Sequence, residues 1–214
     1  MPRTQLHDSS TIQIPQGGVE FPMPRDSNRS VIFTFQPGTT DTTGLHWHEE
    51  KTEYLQVLQG HALVTLGDSI AVFTPGDGPI TVPRYTLHAF GRADAHPEGA
   101  ASRDVALRVR EWTDPADGQK EIFFRNLLGI LLDKQDGLWG TVKLLLGVFT
   151  IMGAYDTYPV FVRGPAFLGQ AVQSAVRRWT TYAVAGGVGL VGRMCGLKSM
   201  YEEYTPREWF ARHA

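Results

Sequence analysis

Four side chains in this sequence have the types and the spacing to hold a metal ion. His46 and His48 stand two residues apart in GLHWHEEKTEYLQVLQG, Glu53 follows in the same stretch, and His88 lies in VPRYTLHAF. Side chains alternate between faces along an extended strand, so His46 and His48 point one way and Trp47 the other. The polar residues EEKT can turn the chain, which brings Glu53 back on a neighbouring strand beside the histidines. His88 adds a fourth donor from a later strand. Three neutral imidazoles and one carboxylate suit Fe, Mn, Ni, Cu or Zn and not Ca or Mg, which prefer shells of oxygen. Such an ion keeps one or two positions beyond its protein ligands, so a substrate or dioxygen can bind it directly. Glu53, if released from the ion, would serve as a base.

Placing these donors requires strands, and residues 30–112 are written as strands. SVIFTF, EYLQVLQ, HALVTL, SIAVFT, ITVP, LHAF and DVALRVREW are separated by PGTTDTTG, GD, PGDGP and GRADAHPEG, which hold the Gly, Pro and Asp that turns need. Many short strands with no helical pattern between them predict an antiparallel sandwich or jelly-roll barrel, placed at residues 30–114. A polar, Pro-rich arm, residues 1–29, precedes it and is expected to wrap the barrel or pair with another subunit.

After TDPADGQKE the pattern changes, and residues 115–214 read as a helical, apolar extension. EIFFRNLLGILLDK sets Ile122, Leu127, Ile130 and Leu131 near helical spacing, and AFLGQAVQSAVRRW is a second candidate amphipathic helix. Two apolar runs, 137–155 and 180–192, admit two readings. One is a membrane hairpin with the basic residues 163–178 between its arms. The other is a buried helical extension or dimerisation element, and the shortness of the uncharged run between Lys143 and Asp156 favours it. Gly186, Gly187, Gly189 and Gly192 weaken a helix while permitting close packing.

Composition narrows the class. The chain has 214 residues, 42% hydrophobic and 20% charged, with a formal net charge of −2 and a mean hydropathy of −0.18. This is a globular composition without the basic patch that nucleic-acid binding needs. A single cysteine, Cys195, excludes an intrachain disulfide and a thiolate zinc cluster. The first residues, MPRTQLHDSSTIQIPQGG, contain no apolar core of a secretory signal, so an intracellular protein, cytoplasmic or membrane-associated, is expected.

The donor stretch resembles the first motif of the cupin superfamily, in which a glycine leads into His-x-His, followed by Glu and then Gly at set distances. His46, His48, Glu53 and Gly60 meet that spacing, with Gly44 closer to His46 than the family's usual offset. The second cupin motif, Pro-x-Gly-x-x-His with a later Asn, is matched by Pro83 and His88. It departs at Tyr85, where Gly is usual, and at Arg92, where Asn is usual. The resemblance covers about residues 30–112 and implies a jelly-roll monocupin with its four ligands facing the barrel interior. It implies one divalent transition metal, with Fe favoured over Mn, Ni, Cu or Zn. More narrowly, one cupin followed by REWTDPADGQKEIFFRNL and an apolar tail is similar to a group of fungal monocupins, some of which accompany natural-product pathways.

Strand alternation puts Thr86 and Phe90 on the face of His88, and Leu55 and Val57 on that of Glu53, which predicts an apolar substrate pocket. Arg108 and Arg110 lie opposite Val105, Leu107 and Val109, either as a clamp for a carboxylate or phenolate substrate or on a solvated face. Tyr85, near His88, is a candidate proton or hydrogen-bond donor. The favoured function is a metal-dependent enzyme with oxygenase-type chemistry on a small, largely apolar organic substrate, such as a natural-product intermediate. A non-redox metal-dependent isomerase, cyclase or lyase stands as an alternative, and a non-catalytic ligand-binding or accessory protein as another. A homodimer is expected for any of them.

Overall fold

The computed structural model describes residues 2–14, 17–22, 25–164, 167 and 169–213. They fall into two compact units, Asp8–Arg125 and the combination of Met1–His7 with Asn126–Ala214.

The first unit is a two-sheet antiparallel structure. Its strands are β1 (Thr11–Ile14), β2 (Gly17–Glu20), β3 (Val31–Phe35), β4 (His46–Trp47), β5 (Thr52–Gln59), β6 (Ala62–Leu66), β7 (Ser69–Phe73), β8 (Ile80–Val82), β9 (His88–Arg92) and β10 (Leu107–Asp114). One sheet has the order β1-β2-β3-β10-β5-β8, and the other contains β4-β9-β6-β7 as neighbours. The crossed order, in which sequential strands from β3 to β10 are largely dealt to different sheets, makes this a jelly-roll barrel. Alternation is clear on β5, where Glu53, Leu55 and Val57 are buried between half-exposed neighbours. It recurs on β10, where Leu107, Val109 and Glu111 are buried.

The N-terminal arm supplies β1 and β2, and β2 pairs with β3, so the arm extends the chain's own sheet. Pro15, Gln16, Met23 and Pro24 of that arm lie outside the described residues. Gly60 ends β5 at φ 74°, and a Cβ there would stand 2.9 Å from the Ala106 carbonyl oxygen. Only glycine meets both demands without strain.

The second unit is helical: α2 (Gly137–Met152), α3 (Gln170–Met194) and α4 (Arg207–His213). The helix before them, α1 (Gln119–Leu132), contributes its residues up to Arg125 to the barrel unit and the rest to the helical unit. Its register differs from the expectation: Ile122 is buried, but Leu127 and Ile130 are half-buried and Leu131 is 39% exposed, while Phe123 and Leu128 are buried. The second candidate helix and the run 180–192 form one continuous helix, α3, so Arg177 and Arg178 belong to a helix and not to a basic loop. Ala166 and Leu168 of that candidate lie outside the described residues.

Among the described residues no helix is long and apolar enough to cross a membrane. The glycines of α3 instead permit close packing on α2. A Cβ at Gly189 would lie 3.0 Å from the Phe149 carbonyl oxygen, and one at Gly192 would lie 2.8 Å from that of Leu146. Thr150, buried at the same crossing, donates to the Leu146 carbonyl at 2.7 Å. Cys195, just beyond α3, is exposed.

Candidate metal centre

The two sheets bring the four donors together. β4 and β9 pair with His46 opposite His88, and His48 follows β4 directly, so three imidazoles come from one sheet. Glu53 comes from β5 of the other, with its side chain on the buried face. One ligand atom from each of the four residues lies within 4.8 Å of the others.

Backbone carbonyls fix two of the rings. His46 Nδ1 is 2.8 Å from the Gly44 carbonyl oxygen, and His88 Nδ1 is 3.0 Å from that of Thr86. A carbonyl only accepts, so each Nδ1 carries the proton and each Nε2 is left with a lone pair for a ligand. His88 Nε2 stands 3.1 Å from Glu53 Oε1. Both atoms are buried without a hydrogen-bond partner. Two acceptors facing one another at that distance call for a proton or a metal cation, and a divalent ion fits this donor set.

The electrostatics agree at His46 and Glu53, and at His88 they favour the protonated ring as long as Glu53 is the only charge facing it. Burial, reinforced by repulsion from His88 and His48, holds His46 well below the ordinary histidine pKa and therefore neutral. Burial works against ionisation of Glu53, yet the Lys120 ammonium and His88 outweigh it and keep the carboxylate charged, well below its usual range. For His88, burial lowers the pKa and the charge of Glu53 overrides it, for a net rise.

Sequence reasoning missed part of this centre. Lys120, in the first turn of α1, donates to Glu53 Oε2 at 2.6 Å and also to Glu111 Oε1. All three side chains are buried. Burial, then the charge of Glu53, pushes Glu111 up to about 7. Lys120 is raised, because Glu111 and Glu53 more than offset the burial that opposes its charge. Glu111 was readable: the alternation that sets Arg108 and Arg110 on one face of β10 sets Glu111 with Leu107 and Val109 on the other. Lys120 gave no such signal, since its placement depends on how α1 docks.

The remaining expected residues divide. Leu55 and Val57 are buried on the Glu53 face of β5, and Phe90 shares the buried face of His88 on β9. Phe90 packs edge-on against Phe33 and Phe35, with ring centroids 5.7 and 6.0 Å away, and Phe124 of α1 joins Phe33 at 4.7 Å. The interior beside the donors is therefore apolar and aromatic. Thr86 contributes its carbonyl to His88. Tyr85 is 55% exposed.

Arg108 and Arg110 do not line this centre, and the clamp reading is corrected. They project from the face of β10 opposite Glu111. Arg108 pairs with Glu20 at 2.8 Å, and Arg110 is bound to Asp26 and to Ser30 Oγ. Two carboxylates of the N-terminal arm compensate these guanidinium groups.

No family model matches the chain. It is 26% identical over 192 residues to epoxidase atD of Aspergillus terreus, an alignment that covers 87% of this chain and 53% of that protein. It is 25% identical over 198 residues to the probable oxidoreductase yanE of Aspergillus niger, covering 86% of this chain and 71% of that one. The chain thus spans about half the length of the first of these curated relatives. Among solved structures, the Drosophila melanogaster CENP-C cupin domain aligns with 48% of this chain and 73% of its own, at 15% identity and a TM-score of 0.37.

Proposed function

We propose that the barrel holds a divalent transition metal through His46, His48, Glu53 and His88, and acts as an oxidoreductase on a small, largely apolar organic molecule. Oxygenase-type chemistry is the favoured form, with iron as the ion. The observation that carries this reading is the facing pair of unpartnered buried atoms, His88 Nε2 and Glu53 Oε1, inside a cluster of three imidazoles. The names of the fungal relatives, an epoxidase and a probable oxidoreductase, support the reaction class.

When bound, iron supplies one-electron and dioxygen chemistry and keeps positions for substrate. The chain's own groups do the rest. His46 and His88 are held by the Gly44 and Thr86 carbonyls with their lone pairs inward, so no reorganisation is needed when the ion enters. Glu53 is kept ionised and contributes the negative charge that favours a divalent cation. Leu55, Val57 and Phe90 keep water from the donors and favour an apolar substrate. We assign Tyr85 the role of presenting its hydroxyl to substrate beside His88.

The test is elemental analysis of chain purified without chelators, beside the Glu53→Ala and His88→Ala variants. About one iron per chain in the wild type and little in the variants is expected, with the next assay oxygen uptake. Stoichiometric zinc or nickel would replace the oxygenase reading with Lewis-acid chemistry. No metal in any of the three would sink the proposal.

A further inference from the structure

The metal reading leaves a buried charge group unused. Lys120 and Glu111 are not among the four donors, yet both stand against one of them. Burying an ammonium is costly unless its protons are taken up, and here two carboxylates take them. Lys120 bonds Glu53 through one oxygen only. Oε2 accepts from Lys120 at 2.6 Å and stands 3.0 Å from His48 Nε2, whereas Oε1 has no hydrogen-bond partner and faces His88.

We infer that Lys120, braced by Glu111, is a positioning residue that decides which oxygen of Glu53 meets the ion: Oε2 is kept for the ammonium, and Oε1 is left as the ligand. The inference rests on the metal reading above and deepens it. Chelation by both oxygens would mean breaking a charge-assisted bond in a buried place, where the ammonium has no water to turn to. Lys120 has little room to withdraw, since its side chain is 8% exposed, Glu111 holds it and the Phe124 ring centroid lies 5.8 Å away. A carboxylate restricted to one oxygen makes four protein donors in all. An ion that takes five or six then keeps positions for substrate and dioxygen. The device lies outside both stretches that carry the ligands: Glu111 is on β10 and Lys120 on α1.

The probe is Co(II), titrated into metal-free chain, with its dissociation constant and its visible absorption read together. The main variant, Lys120→Met with Glu111→Gln, removes the ammonium together with the carboxyl group that braces it. Lys120→Arg keeps the cation. The double variant is expected to bind Co(II) about 10- to 100-fold more weakly, the range for losing an outer-shell partner. Its visible band should weaken as the second oxygen raises the coordination number, while Lys120→Arg keeps the wild-type band. Circular dichroism and the unfolding midpoint check the fold of each. Wild-type affinity and band in a folded double variant overturn the inference, whatever the midpoint, because Lys120 would then only balance charge. Should the double variant not fold, Lys120→Met alone carries the test: it frees Glu53 Oε2 from the ammonium, and an unchanged band overturns the inference equally. A wild-type chain that binds no Co(II) overturns the metal reading and this inference with it. Binding by wild type with no change in the variants overturns this inference alone.

Discussion

At Tyr85 the chain holds a bulky residue in a backbone conformation that glycine adopts freely. Its φ is 63°, at the position where the second cupin motif usually has Gly. An L-residue there costs roughly 1–2 kcal/mol, and the structure shows what imposes it. The Tyr85 N–H donates to the His48 carbonyl at 2.6 Å, which ties the loop before His88 to the segment that carries the other two histidines. Geometry of the ligands thus takes precedence over comfort of the loop. The side chain is 55% exposed, so core packing does not explain its retention. Tyr85→Gly is expected to be more stable than Tyr85→Ala by about 1 kcal/mol in urea unfolding, because alanine keeps the strain and glycine releases it. Equal midpoints for the two would mean that the backbone relaxes and stores nothing.

Elements carry the second kind of constraint, which is close approach. In α3, Gly187 has nothing near the place a Cβ would occupy, whereas a Cβ at Gly192 would stand 2.2 Å from Thr150 Oγ1 and 2.8 Å from the Leu146 carbonyl. Alanine is the better helix former at both positions, by about 1 kcal/mol. Gly187→Ala should therefore stabilise the chain by up to that amount, while Gly192→Ala should destabilise it by about 1–3 kcal/mol through overpacking against α2. Thermal unfolding of the two variants decides it, and the same sign for both would show that α2 and α3 do not pack closely. The four glycines looked alike in sequence, because what separates them is which face meets a neighbour. The same distinction governs how much of the centre was legible. His46, His48, Glu53 and His88 are local patterns, set by alternation within strands, and they were read from spacing. The strands from Val31 to Asp114 were legible for the same reason. Lys120 was not, because its role depends on a helix start folding back onto a strand read many residues earlier, and alternation carries no information about docking. Arg108 and Arg110 were placed on the right face, but their partners, Glu20 and Asp26, lie in an arm whose pairing with β3 no local pattern announces.

For the whole molecule, the decisive fact is that the donors come from both sheets of one unit. His46, His48 and His88 belong with β4 and β9, and Glu53 belongs with β5. An ion held by all four joins the sheets, and it binds the folded barrel without binding the unfolded chain as a set. Such binding stabilises by RT ln(1 + [L]/Kd), about 2.7 kcal/mol when free ion is at 100 times its Kd. The four donor residues all lie in the unit Asp8–Arg125, so the gain should be local. Removing the ion with a chelator is expected to speed amide hydrogen exchange in β4, β5 and β9 and to leave α2 and α3 at their original protection. Glu53→Ala should exchange like the chelated wild type, with or without added metal. If chelation instead loosened α2 and α3 as much as the strands, the barrel and the helical unit would open as one, and the helical unit would share in the stability of the metal centre. If exchange in the strands did not change, the ion would be bound too weakly to join the sheets, and the centre would be a place where metal visits and not one around which the barrel is built.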